Sequence, residues 1–306
     1  MNINSHRWWV TALSVTLLAC PSDDGNKEPV NSTFKITSPP SEVDFFEGAF
    51  EKYATVFGIH FFATESTPDG KILHALNILS QYMDNDEDGG ADNSAVMEEL
   101  QKVEASMVLL ATQREAEQFF EDGPPRKAEE MWDRGELRVQ DLYGEETIPP
   151  GTSDRFDATL EETLHLITSA GYASVYPDIF GESAGSTLAA LMDSARGGYF
   201  ENVPMRGSFA DGKAGGRYPE RSWYHYTDTT CEYGCMVTEY IYWALTSILG
   251  AQSNLDRCND ISVEWELCTG ELVASRDSGV FALLTDPKYH LPTCLLYTSP
   301  SPRDRG

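Results

Sequence analysis

An α+β fold, with a small mixed sheet and a helix-rich lobe, is the expectation from three features of the sequence. Two short runs rich in β-branched and aromatic residues, Tyr53-Ala-Thr-Val-Phe-Gly-Ile-His-Phe-Phe-Ala63 and Ala105-Ser-Met-Val-Leu-Leu-Ala-Thr112, each read as one buried strand. Between them Ile72, Leu76, Leu79 and Met83 recur at helical spacing, which makes strand, helix and strand a β-α-β unit. Beyond residue 155 helical patterns dominate, in Asp157 to Tyr172, in Leu188, Leu191 and Met192 after the cap Ser186, and in Val237 to Leu249.

Residues 1–20 read as an export signal. His6 and Arg7 lie in a polar n-region, Trp8 to Leu18 are apolar, and Leu17-Leu18-Ala19-Cys20 has the small-residue pattern of a cleavage site. This pattern resembles the lipobox of bacterial lipoproteins. The resemblance implies a diacylated Cys20 at the mature N-terminus and a protein lipid-anchored in the cell envelope, periplasmic or at the cell surface. The apolar run is too short to span a bilayer. Residues 21–44, with many Ser, Asp, Asn and Pro, read as a flexible tether. At the other end, Cys294-Leu-Leu-Tyr-Thr-Ser-Pro-Ser-Pro-Arg-Asp304 matches the translation of a transposase-type sequencing adapter. Residues 294–306 are therefore expected to be foreign to the natural chain, and 45–293 to form the domain.

Lys plus Arg number 22 against 49 Asp plus Glu, a formal net charge of -27. Such a surface repels nucleic acid and anionic lipid, and favours cations. With Cys20 lipidated and Cys294 in the adapter-like stretch, Cys231, Cys235, Cys258 and Cys268 remain, an even number suited to two disulfides in an oxidising compartment. The preferred pairing of the three is Cys231 with Cys235 and Cys258 with Cys268. A zinc site of four thiolates is the alternative, although the spacings lack C-x-x-C knuckles.

Along the domain, Thr67-Pro68-Asp69 supplies an N-cap, a proline at the first helical position and an early acid for the helix that follows. His60 and His74 read as structural or surface residues rather than as ligands. Asp84-Asn-Asp86-Glu-Asp88-Gly89-Gly-Ala-Asp92 then places carboxylates at positions 1, 3, 5 and 9 of a calcium-type loop, residues 84–95, with Gly at position 6. Ala95 stands at position 12, where an EF-hand has a bidentate Glu, so a structural calcium ion is expected rather than a regulatory one. Ser94 is the expected cap of a short helix through Leu100. Residues 113–134 are helical in pattern, broken at Gly123-Pro-Pro125, and Leu137, Val139 and Leu142 fit an edge strand.

The chemistry-bearing stretch is Thr159-Leu-Glu-Glu-Thr-Leu-His165, with Thr159 as the expected cap and Gly171 as the expected stop. Glu161 and Glu162 lie four and three residues before His165, so all three share one helix face. As an ordinary helix the stretch reads as a capping box from Thr159 to Glu162, with a surface histidine. Glu239 argues for more. It falls in the first turn expected for Val237 to Leu249, a helix apolar on nearly every face, where an unpaired carboxylate is too costly to bury.

A strand-helix-strand unit, a helix with E-x-x-H and a later buried helix with Glu together resemble the gluzincin metallopeptidases, a zincin-like fold. The resemblance implies a zinc site with Glu161 in place of the first His, Glu162 as general base, and His165 and Glu239 as further ligands. Tyr224 or Tyr226, or His225 between them, would stabilise the oxyanion, and His225 is also an alternative ligand in place of Glu161. Two carboxylates and one His form a harder, more anionic donor set than two His and one Glu, which suits zinc, manganese or calcium and lowers the acidity of a zinc-held water.

Gly197 to Tyr218, rich in Gly and basic residues, reads as a mobile loop, Val263 to Cys268 as a half-buried strand, and Ser278 to Thr285 as a short helix. No P-loop, dinucleotide signature or nucleophile elbow is present. The expectation is a surface-anchored metal-dependent peptidase acting on extracellular peptides, or alternatively a non-catalytic calcium-stabilised binding or adhesion lipoprotein.

Overall fold

Residues 34–152, 155–204 and 218–295 are described by the computed structural model. The export signal with Cys20, the first part of the tether, the centre of the expected mobile loop and residues 296–306 lie outside them.

The first apolar run forms two strands rather than one, β1 (Lys52–Val56) and β2 (Ile59–Ala63), paired antiparallel with Val56 opposite Ile59. Phe57 and Gly58 between them have φ of 52° and 80°. Positive φ at both central residues is what a two-residue hairpin turn requires, and an apolar run conceals it when only one of them is glycine. The remainder of the β-α-β unit is as expected. β2 leads through α1 (Asp69–Met83) and α2 (Ser94–Lys102) to β3 (Ser106–Leu110), which lies parallel to β2. The caps shift by one residue. Pro68 rather than Thr67 precedes α1, and the Thr67 hydroxyl donates instead to Leu109 O of β3. Asn93, not Ser94, caps α2 by accepting from Val96 N.

α3 (Gln113–Asp122) and α4 (Arg126–Asp133) flank the Gly123-Pro-Pro125 break, and β4 (Val139–Tyr143) pairs parallel with β3. The sheet order is β1-β2-β3-β4, so among the described residues β4 leaves one edge unpaired. Side chains alternate across the strands. Phe62, Val108 and Leu110 pack with Phe45, Phe46 and Phe50 on one face, and Phe61, Met107 and Leu109 join the large core of the helical lobe on the other. Covered on both faces, β2 and β3 are buried at every position.

The lobe begins with α5 (Thr159–Leu166), which does not stop at Gly171 but runs on as a π-helical segment (Ile167–Tyr172) into α6 (Ala173–Val175). Gly171 serves packing, since a Cβ there would stand 2.7 Å from Val96 Cγ1 of α2. α7 (Pro177–Phe180), α8 (Thr187–Arg196, capped by Ser186) and α9 (Tyr233–Ile248) follow, then α10 (Leu255–Ile261), α11 (Gly270–Arg276) and α12 (Ser278–Leu284). The expected strand at 263–268 is absent. Trp265 makes one isolated bridge to Tyr224 and buries its indole, whose N–H reaches Ser247 Oγ and Leu267 O. Both preferred disulfides form, Cys231–Cys235 beside the start of α9 and Cys258–Cys268 across α10. No helix among the described residues is long and apolar enough to cross a membrane.

Candidate metal centre

α5 is fixed at its N-terminal end by polar contacts that a sequence pattern does not show. Asp157 Oδ1 accepts from Ile148 N and Thr159 N, and Asp157 Oδ2 lies 2.6 Å from His74 Nε2 of α1. Asp157, not the side chain of Thr159, satisfies the start of the helix, and the buried Thr159 hydroxyl has no partner. The Tyr82 hydroxyl of α1 donates to Leu160 O. α9 packs across α5 with nearly all its side chains buried, and begins at Tyr233, so Glu239 lies in its second turn. At that depth the positive end of the helix gives little compensation to the carboxylate.

This crossing brings Glu161, His165 and Glu239 together, with one donor atom of each within 4.8 Å of the others. His165 Nε2 and Glu239 Oε2 are 3.7 Å apart, and both are buried without a hydrogen-bond partner. Buried polar atoms are nearly always satisfied, and these two face each other from different helices at ion-pair distance, a spacing that also suits a shared cation. Donors about 2.1 Å from a tetrahedral zinc ion stand roughly 3.4 Å apart, close to the observed separation. The residues thus fit a single divalent ion, with Glu161 as the third donor.

The electrostatics agree. Burial, reinforced by the Glu239 charge, pushes the Glu161 carboxyl up to about 8. Its residue area is only half-buried, but its carboxyl sits in the enclosed crossing. Glu239 is likewise raised, first by burial. For His165 burial alone would favour the neutral ring, but the carboxylates of Glu239 and Glu162 outweigh it and raise the imidazole to about 9. Two carboxyls held toward their neutral forms and an imidazole held toward its charged form meet at one point, a clustering of perturbed groups found at functional sites and in structural ion-pair networks.

Glu162 faces the sheet. Its Oε2 accepts from Gln140 Nε2 of β4 at 2.6 Å and stands 3.7 Å from His165 Nδ1. It therefore lies beside the candidate ligands, against the lobe-facing side of β4, and not among them. Of the aromatic run, Tyr226 interacts with Glu239, and its phenol is pushed upward by burial and that charge. Tyr224 is different: fully buried, it donates to Met236 O at 2.8 Å, which makes it a core residue. His225 is turned away. Its Nε2 meets Ser222 O, its ring packs near Tyr218, and it does not join the three-residue group.

In the acidic loop, donors of Asp84, Asp86 and Asp88 also lie within 4.8 Å of one another. Asp84 already accepts from Asp88 N and Gly89 N, and Asp92, outside that group, accepts from Asn85 N. The loop clasps the chain near its end, because Asn85 Oδ1 accepts from Thr293 N and Cys294 N. Cys294 and Leu295, assigned above to the adapter-like stretch, are both buried.

Pattern reading missed several residues. Gln140 carried no signal on an edge strand. Tyr242, which interacts with Glu161 and stacks edge-on against His165 with ring centroids 5.6 Å apart, could have been found three residues beyond Glu239. No known protein family, characterised protein or solved structure matches the chain.

Proposed function

We propose that the protein is a zincin-like, metal-dependent peptidase, held at the cell envelope through Cys20, whose ion is bound by Glu161, His165 and Glu239. The observation that carries this reading is the pair of unsatisfied buried atoms, His165 Nε2 and Glu239 Oε2, 3.7 Å apart on separate helices. When bound there, zinc or another divalent ion would polarise a carbonyl and acidify water. The chain's own groups supply the rest. Glu162, beside the ligands and held by Gln140 of β4, would accept the proton in this reading. Tyr226, with its phenol held protonated next to Glu239, is the donor nearest the ligands in the Trp223 to Tyr226 run.

The test is metal analysis of the purified protein together with peptide cleavage by the Glu162→Gln variant. The expected result is one divalent ion per chain, proteolysis in the wild type, and proteolysis lost in Glu162→Gln with the ion retained. Metal-free wild-type protein without proteolysis after loading with zinc or manganese would end the proposal. A second reading, a non-catalytic binding lipoprotein stabilised by calcium, draws on the convergence of Asp84, Asp86 and Asp88.

A further inference from the structure

We propose that Glu182 is a positioning residue that sets the separation of His165 and Glu239, and so the affinity of the centre for its ion. This rests on the metal reading above. Glu182 belongs to the link between α7 and α8, on neither ligand-bearing helix, yet its Oε1 accepts from the hydroxyls of both Ser169 and Thr238, the latter at 2.8 Å. Ser169 lies about one turn beyond His165, and Thr238 immediately precedes Glu239. A single carboxylate oxygen thus ties the His165 helix to the Glu239 helix beside both ligands.

The backbone is shaped for this contact. A Cβ at Gly181 would stand 2.2 Å from Pro177 O, so glycine is needed where the chain folds back over α7 and delivers Glu182. At Gly234, in the first turn of α9, a Cβ would meet Glu182 O at 3.4 Å, which shows how closely the link lies on that helix. A brace has a purpose here because α5 gives way to a π-helical segment directly after Leu166. Such segments are less regular than α-helix and recur at functional sites. With His165 and Glu239 already near a tetrahedral spacing, a shift of the two helices by about 1 Å removes a donor from the ion.

The experiment is zinc affinity by chelator competition on the full chain, for wild type, Glu182→Ala, Glu182→Gln and Ser169→Ala, with the melting temperature of each metal-free protein measured in parallel. Glu182→Ala is expected to weaken zinc by about 10- to 100-fold at temperatures far below its own Tm, the usual range for groups that orient ligands. Glu182→Gln should stay close to wild type, because its amide oxygen accepts the same hydroxyls, and Ser169→Ala should fall between. A Glu182→Ala protein with lowered Tm but wild-type zinc affinity would mean a merely structural role and overturn the proposal. Should Glu182→Ala not fold, Ser169→Ala decides, and unchanged zinc affinity there overturns it. A wild type that binds neither zinc nor manganese removes the metal reading and this inference together, whereas equal zinc affinity in wild type, Glu182→Ala and Ser169→Ala removes only this inference.

Discussion

Without an ion, Glu161, His165 and Glu239 face one another in a buried crossing, and the stability of the metal-free protein depends on pH with a sign that can be worked out. Glu161 titrates near 8 in the folded protein against an ordinary 4.5. A carboxyl raised in this way costs nothing below 4.5, where both folded and unfolded forms are protonated, and destabilises increasingly as pH climbs to 8. His165 is raised from 6.5 to about 9, so its contribution is complete below 6.5 and is lost as pH rises through 9. Both groups make the metal-free protein less stable with rising pH. At about 1.4 kcal/mol per pH unit, and because the three groups titrate as one coupled set rather than additively, the loss between pH 5 and 9 is about 3 to 5 kcal/mol. That is a large share of the roughly 5 to 15 kcal/mol that holds an ordinary domain together. Urea unfolding of chelator-treated protein at intervals across this range measures it, with Glu161→Gln/Glu239→Gln as the control that should flatten the curve. Zinc should reverse the slope, since its binding displaces protons and tightens as pH rises. A metal-free stability that is flat or increasing from pH 5 to 9, or a control with the same slope as wild type, would refute the arrangement of charges described here.

Tyr224→Phe removes a buried hydroxyl that donates to Met236 O, which should cost about 1 to 2 kcal/mol in thermal unfolding and leave zinc affinity and peptide cleavage unchanged. Lost cleavage at full stability would return Tyr224 to the site. For the acidic loop, calcium at a hundredfold its Kd should add about 2.7 kcal/mol to chelator-treated protein, and Asp86→Asn/Asp88→Asn should abolish the gain. No rise in Tm would identify the loop as a turn satisfied by its own backbone, as the contacts of Asp84 with Asp88 N and Gly89 N already allow.

The parts of the fold that were legible in the sequence are those set by side-chain period and chain-breaking residues. α1 follows the spacing of Ile72, Leu76, Leu79 and Met83, the break at Gly123-Pro-Pro125 falls between α3 and α4, and β3 follows its apolar run. What escaped was decided by a single backbone angle or by tertiary contact. Phe57 at positive φ turns one apolar run into two strands, and Trp265 is buried by Tyr224 and Ser247 rather than by a neighbouring strand. In the site, Glu161, His165 and Glu239 could be matched because helix spacing and an acid in an apolar helix are local signals. Gln140, Tyr242 and Glu182 act across elements, and no local pattern distinguishes them from other polar or aromatic residues. The same limit applies to Tyr224 and His225: adjacency to Tyr226 in sequence says nothing of direction, and each of the three side chains has a different partner.

On the proposed metal reading, a glutamate rather than a histidine at 161 suits the crossing of α5 and α9 as a dielectric environment. A divalent ion with two carboxylates and one neutral imidazole is a neutral assembly, whereas two imidazoles and one carboxylate leave a net positive charge. In a crossing lined by the buried side chains of α9, the neutral set is the less costly to enclose. The same neutrality reduces the pull of the ion on water, so proton transfer depends more heavily on the chain's own base. Glu162, the base in the proposed reading, is held by Gln140 at 2.6 Å, from an edge strand instead of from its own helix. On the proposed reading, the glutamate at 161 and the contact between β4 and α5 are two sides of one requirement: an ion less able to acidify water asks more of a base that the sheet fixes.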